Sequence, residues 1–320
     1  MNRRQLLATL AGTALTGPAF AQTPYATRPV SFIIPLPPGG PTDRAPRIAM
    51  EFLGPRLATP LVAVNRPGAG GAVAAEFVAR SRPDGLTVFA SSNATLSVRT
   101  AMEANNPYRL EDFVSAGSFA ADVGIIAVRR DSSLKTLADL VNGARAQPNR
   151  FSYASAGPGS VSHLTLEIFK LVAGVDILHV PYAGSAPALI SILAGDTQVI
   201  SAAYSVLATR FAAGELVALA TTAAQRIPDL PDVPTLEELG FRGTTFNIWM
   251  GLFLPAATPA DLVARLSDSL AEAARDPGLE AMLRRALLML DYRDGAATMR
   301  VLAEEQAAVR RVAARIATPG

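Results

Sequence analysis

Four times in this chain an apolar run of strand length breaks into a glycine-bearing turn and continues as a helix, a pattern that belongs to helix-covered α/β layers. The run Val30–Pro35 leads into Leu36-Pro-Pro-Gly-Gly-Pro-Thr-Asp43, and Leu61–Val64 leads into Asn65-Arg-Pro-Gly-Ala-Gly-Gly71. Phe151–Ala154 leads into the turn of Tyr153-Ala-Ser-Ala-Gly-Pro-Gly-Ser-Val-Ser-His163, and Ile177–Val180 leads into Tyr182-Ala-Gly-Ser-Ala186. Such a turn aims backbone N–H groups and the positive end of a helix at one spot beyond the sheet, which suits an anion. Several anion seats with no obvious reacting group beside them suggest a protein that holds small acids without transforming them.

The first 21 residues read as a secretory leader. Asn2-Arg3-Arg4-Gln5 is charged, Leu6–Leu15 is apolar but too short to span a bilayer, and Ala19-Phe20-Ala21 is a small-residue cleavage site before Gln22. The paired arginines are compatible with either the general or the twin-arginine route. Export to the periplasm, with cleavage after Ala21, is the expectation. Of 29 basic residues, Arg3 and Arg4 leave with the leader, so 27 remain against 27 acidic ones. A neutral chain without a basic cluster is a poor partner for nucleic acid. Cysteine is absent, lysine occurs only at Lys135 and Lys170, and histidine only at His163 and His179. Disulfides and thiolate metal sites are excluded, and no metal or cofactor is expected.

Helix signals are clear along the remaining 299 or so residues, a length that suits two α/β lobes. Thr42 is expected to cap a helix to about Leu57, with Pro46 an anomaly inside it. Gly71 opens a helix to about Arg80, and Thr136-Leu-Ala-Asp139 reads as a capping box. Ser160 opens a helix closed by Gly174, and Ser185 opens one closed by Gly195. Thr258-Pro259 starts another, to about Ala274, and Ala296–Ile316 is amphipathic. Strands are expected at Ser31–Pro35, Leu86–Ala90, Gly124–Arg129, Thr197–Ala202 and Leu216–Thr221. All are apolar on both faces, as in mainly parallel sheets covered by helices. The proline-rich Ile227–Pro234 is a loop leading to Phe246–Pro255.

Enzyme chemistry lacks its parts. Ser160 and His163 lie one helical turn apart, but neither serine of this stretch stands in a G-x-S-x-G elbow. Gly157-Pro-Gly-Ser-Val-Ser162 lacks the last glycine of a dinucleotide fingerprint, and no Gly-Lys pair serves a P-loop. A secreted serine hydrolase is therefore the weakest of the alternatives.

Taken together and in order, Pro35-Leu-Pro-Pro-Gly-Gly40 with Asp43, Asn65–Gly71, Pro83-Asp-Gly85, Tyr153–Gly157 with His163, His179-Val-Pro-Tyr182 with Gly184-Ser-Ala-Pro-Ala188, and Leu230-Pro-Asp-Val-Pro-Thr235 resemble the Bug family of solute-binding proteins. These are the extracytoplasmic receptors of tripartite tricarboxylate transport systems. The resemblance runs from about Arg28 to the C-terminus. It implies a two-lobed, type II-like periplasmic binding protein, with residues 22–122 and 248–320 in one lobe and 123–247 in the other. The crossings would fall near Ala121–Gly124 and Asn247–Gly251. It implies a small carboxylate held in the cleft between the lobes, and a monomer that meets either membrane transporter subunits or a sensor kinase. Two departures are visible. Ala183 follows the tyrosine of the Pro-Tyr motif where a basic residue is common, and Ala202-Ala203 stand where an Asp-Asn pair is common. The second departure removes an acceptor for an amino group and points to an unaminated or aromatic acid.

The ligand-binding candidates follow from these turns. Gly39 and Gly40 offer backbone amides, Thr42 lies beside them, and Asp43 either contacts the ligand or orients the loop. Ser91 and Asn93 end a strand, where open α/β sheets place their ligands. Ser155, Ala156, Gly157, Gly159 and Ser160 form the central turn. His163 is open to two readings, structural or ligand neighbour, whereas His179 reads as core. Tyr182, Gly184 and Ser185 form the fourth turn, and Ala202 and Tyr204 end the strand from Thr197. Trp249 and Arg66 read as packing and loop-bracing residues.

Overall fold

The computed structural model describes residues 25–103, 105–158 and 160–316. The leader with its cleavage site, and Gly159 of the central turn, lie outside the described residues. In chain order the first elements are β1 (Val30–Ile34), α1 (Pro41–Leu57), β2 (Leu61–Asn65), α2 (Ala72–Ala79), β3 (Thr87–Ser92) and the short α3 (Arg99–Met102). β4 (Phe113–Asp122) is separated from β5 (Gly124–Arg129) by Val123 alone. Then come α4 (Leu137–Ala146), β6 (Ser152–Ser155), α5 (Val161–Ala173), β7 (Leu178–Pro181), α6 (Ser185–Ala194), β8 (Val199–Ala203), α7 (Tyr204–Ala212) and β9 (Leu216–Thr221). The chain finishes with β10 (Ile248–Pro255), α8 (Ala260–Ala274), α9 (Pro277–Arg285), β11 (Met289–Asp294) and α10 (Gly295–Ile316).

The strands form two sheets, in the orders β11-β4-β10-β3-β1-β2 and β7-β6-β8-β5-β9. The expected α/β layering is present, but the sheets are mixed and not mainly parallel. β1 pairs in parallel with β2 and β3, and β6 with β7 and β8. β10 runs antiparallel to β3 and β4, β11 to β4, and β5 to β8 and β9. The antiparallel pairs all involve β4, β5 or β10, the strands that carry the chain from one sheet to the other. An apolar run looks the same in either direction, so its composition cannot announce this reversal.

Alternation along the strands fills both faces of each sheet. Phe32 and Ile34 of β1 pack with Ala49 and Leu53 of α1 and with Leu266 and Leu270 of α8, while Ile33 faces Ala75 and Val78 of α2. In the second sheet Ile126 and Val128 face Leu140 of α4 and Phe169 of α5, while Ile125 and Ala127 face Ile192 of α6 and Leu207 of α7. Each fully buried side chain of this size contributes about 1.5–3 kcal/mol. A fifth cluster joins Val161, Leu164 and Ile168 of α5 to Val309 and Val312 of α10. The final helix, which follows the last strand of the first sheet, therefore rests on a helix of the second.

The cap residues largely behave as their chemistry dictates. Thr136 and Asp139 form a reciprocal capping box, Ser160 caps α5, and Gly174 and Gly195 close α5 and α6 in left-handed backbone. Thr42 does not cap α1. The helix begins two residues earlier than a Thr42 cap would place it, with Gly40 as N-cap, no side-chain bond and Pro41 at the first position, and it continues through Pro46 and Pro55.

Candidate functional site

At the junction of the two sheets lies a small, partly open cavity. The ends of both crossings reach it, through Asp122 and Gly124 from the first and Ile248 from the second. The crossings are tied together there: the Gly124 amide donates to Asn247 Oδ1 at 3.2 Å and to Thr222 Oγ1 at 2.9 Å.

The turn after β6 supplies another wall, through Ala156, Ser160, Val161, Ser162 and Thr165. Its shape is set by its own small side chains. The Ala156 amide donates to Ser162 Oγ at 3.0 Å and the Gly157 amide to Ser155 Oγ at 3.1 Å. Ser160 Oγ donates to the Gly157 carbonyl at 2.6 Å and accepts from the His163 amide at 3.2 Å. Gly157 has φ +111°, which bends the chain back toward Tyr182. The Ala156 and Gly157 amides and the Ser160 hydroxyl therefore shape the turn. The Val161 and Ser162 amides, first of the helix, have no intrahelical acceptor.

Behind this turn lies a stack of aromatic rings. His163 is buried and stacks on His179 at 4.2 Å, and His179 stacks on Tyr153 at 4.8 Å. Burial pushes the pKa of His163 down, and burial together with the neighbouring His163 pushes that of His179 down to about 4. Both imidazoles are neutral at physiological pH. Ser155 is fully buried with Oγ 2.7 Å from His179 Nε2.

A second helix start faces the same cavity. Gly184, at φ +115°, turns the chain into α6, and Ser185 at its first position lines the cavity beside Ala202 and Ala203 of β8. Tyr182 donates its amide to the Ser155 carbonyl at 3.1 Å, locking this turn to the one before it. Two first turns thus converge on one space.

Asp122 is the carboxylate of the cavity wall. It is 1% exposed, accepts the Ser205 amide at 3.2 Å and the Ser205 hydroxyl at 2.5 Å, and lines the cavity. Burial pushes its pKa up to about 6 against the Ser205 bonds and the charge of Arg44. Ala202 and Ala203 bring no acidic side chain to the cavity, whereas the neighbouring crossing brings Asp122. Arg44 itself, on α1, has a buried Nε with no hydrogen-bond partner among the described residues.

The remaining candidates sit elsewhere or are already engaged. Asp43 is buried and holds the Gly39 amide at 2.9 Å, Arg47 Nε at 2.9 Å and Asn65 Nδ2 at 2.8 Å. Burial would raise its pKa, but these bonds and the Arg47 charge win and lower it. Asp43 orients the loop, and the Gly39 amide serves Asp43, while Gly40 and Thr42 stand at the open end of α1. Asn93 is fully buried and knits the first sheet to α10. Its amide donates to the Asn247 carbonyl at 2.8 Å and to Glu305 Oε2 at 3.1 Å, and it accepts the Trp249 amide at 3.2 Å. Ser91 is buried, and its hydroxyl has no hydrogen-bond partner among the described residues. Tyr204 does not line the central cavity. It faces a separate one with Asp229, Arg284 and Leu287, and its hydroxyl lies 3.5 Å from Asp229. Asp122, Gly124, Ser162, Thr165, Ile248 and Arg44 escaped the sequence reading. The crossing at Ala121–Gly124 was the signal that could have found the first two.

The comparisons with known proteins agree with this architecture. The family model of the Tripartite tricarboxylate transporter family receptor matches residues 46–317. The protein BugT of Bordetella pertussis is 33% identical over 280 residues, covering 85% of this chain and 85% of BugT. MatC from Rhodopseudomonas palustris with bound malate superposes with TM-score 0.73 at 26% identity, covering 90% of this chain and 99% of MatC. A second R. palustris protein, with adipate, superposes with TM-score 0.75 at 28% identity, covering 91% and 98%. The chain belongs to the tripartite tricarboxylate transporter receptor family, whose members are solute-binding proteins and not enzymes.

Proposed function

We propose that this protein is a periplasmic receptor that captures a small carboxylate in the cavity between its two sheets and delivers it to the membrane subunits of a tripartite tricarboxylate-type transporter. The observation that carries the reading is the convergence of the α5 and α6 first turns on one cavity at the crossings. Unpaired first-turn amides and the positive helix ends favour an anion there, without a dedicated cation. The malate and adipate on the two related structures support an acid as the ligand. In this reading residues 22–122 and 248–320 form one lobe and 123–247 the other, closing on the ligand as a monomer after export and cleavage behind Ala21. Ala156, Gly157, Ser160, Gly184 and Ser185 frame the anion seat, with Gly40 and Thr42 on the opposing lobe.

The test is a thermal-shift panel of mono- and dicarboxylates, sugars, nucleotides and cations on the purified mature protein. A ligand that binds only the native state stabilises it by about 2.7 kcal/mol at a hundred times its Kd. Acids alone should raise the melting temperature, and deletion of the membrane subunits should abolish uptake of the same acid by cells. Stabilisation by a neutral sugar and by no acid would overturn the reading.

A further inference from the structure

The central cavity has donors on one wall and a carboxylate on another. The donors are the first-turn amides of α5 and α6; the carboxylate is Asp122. Register explains how Asp122 arrives there. Gly124 pairs with Ala203 and Ile125 with Ala202, so the residue two before Gly124 sits just past the end of β8, where β8 itself presents only methyl groups. Ser205 fixes the orientation of the carboxylate with one bond to each oxygen. Each oxygen keeps further acceptor capacity, and Asp122 is part of the cavity lining.

This arrangement restricts what an acid can bring with it. A ligand carboxylate seated on the helix starts shares a small space with a second carboxylate. Two carboxylates facing each other repel, unless a donor stands between them. We infer that Asp122 is a specificity-determining acceptor, and that the ligand is a carboxylate which also carries a hydroxyl or ammonium donor. This rests on the carboxylate reading above and narrows it. It replaces the unaminated or aromatic acid suggested by Ala202 and Ala203. A site built around a ligand donor rejects the analogue that lacks it, because its buried acceptor is then left unpaired. Asp122 also caps the start of α7 through Ser205, and a purely structural role would end there.

Calorimetry on the mature protein with matched acids separates the two roles. The probes are sets of equal chain length: propionate, lactate and alanine; succinate, malate and aspartate; glutarate, 2-hydroxyglutarate and glutamate. At about pH 7.5 Asp122 is ionised, and in at least one set a donor-bearing acid should bind about tenfold or more tighter than its unsubstituted partner. In Asp122→Asn that ratio should fall to within about threefold. Ser205→Ala removes the clamp but keeps the carboxylate, and should retain most of the wild-type ratio. Wild-type protein that binds an unsubstituted acid as tightly as its donor-bearing partners overturns the inference while leaving the carboxylate reading intact. So does a folded Asp122→Asn variant with the wild-type ratio. If no acid binds at all, the carboxylate reading fails and takes this inference with it.

Discussion

The hydroxyl of Ser155 lies 2.7 Å from Nε2 of His179, while the same oxygen accepts the amide of Gly157 at 3.1 Å. A serine beside a histidine is the start of a nucleophile, yet Ser155 is fully buried and its histidine is stacked between two other rings. The pair acts as a brace. It fastens β7 to the turn that follows β6, and its chemistry is that of a neutral imidazole.

That neutrality gives the brace an acid limit. The folded pKa of His179 is depressed from 6.5 to about 4, so between these values the unfolded chain binds the proton that the folded chain refuses. The contribution of His179 is full above the unfolded value and is lost as pH falls through 6.5 toward 4. Urea unfolding should show the wild type losing stability over this window relative to His179→Gln. Parallel curves for the two proteins would remove His179 from the account.

Asp122 should act with the opposite sign. Its folded pKa is raised from 3.8 to about 6, so the folded state holds a proton that the unfolded state has released. Stability from this group is full below 3.8 and declines as pH rises through 6. The gap corresponds to an upper bound of about 3 kcal/mol. Asp122→Asn should therefore gain on the wild type between pH 4 and pH 7.5 when both are unfolded in urea. A constant difference between the two across that range would contradict it.

Gly157 is constrained twice. Its φ of +111° disfavours any side chain, and a Cβ built there lies 2.9 Å from the Tyr182 carbonyl oxygen. Gly157→Ala should destabilise the protein by about 1–3 kcal/mol and weaken acid binding. Denaturant midpoints and calorimetry on the same sample check it, and wild-type values in both would show that the turn tolerates another path.

Asp43 gathers three donors from three parts of the chain, namely Gly39, Arg47 and Asn65. Asp43→Ala leaves the Gly39 amide without its acceptor and removes one of the two acceptors of Asn65 Nδ2, which keeps the Leu36 carbonyl, for a loss of about 1–3 kcal/mol. Hydrogen exchange should then quicken at Gly39 and Gly40 before it does in β1. Unchanged protection would assign the loop's order to something other than Asp43.

The α/β layering, the caps at Thr136 and Ser160, and the strands Gly124–Arg129 and Leu216–Thr221 were legible because each rests on local chemistry. β4 was not. Its sequence, Phe-Val-Ser-Ala-Gly-Ser-Phe-Ala-Ala-Asp, is dominated by small residues with little strand preference, and it is ordered by β10 on one side and β11 on the other. Strand direction was hidden for the same reason, since it depends on which sheet the chain enters next. The turn after β6 was legible from glycine and serine spacing. Asp122 was not, because its place in the cavity depends on the register between β5 and β8, and no local pattern encodes that register.

The contact of Val309 and Val312 with Leu164 and Ile168 bears on how the molecule could move. Two strands crossing between sheets behave like a pair of hinge pins, and by themselves they leave the halves free to swing. A third attachment, made by a helix lying across the gap, turns the swing into a slide against friction. In the proposed receptor, release of a bound acid would then be timed by aliphatic side chains slipping past one another beside the cavity.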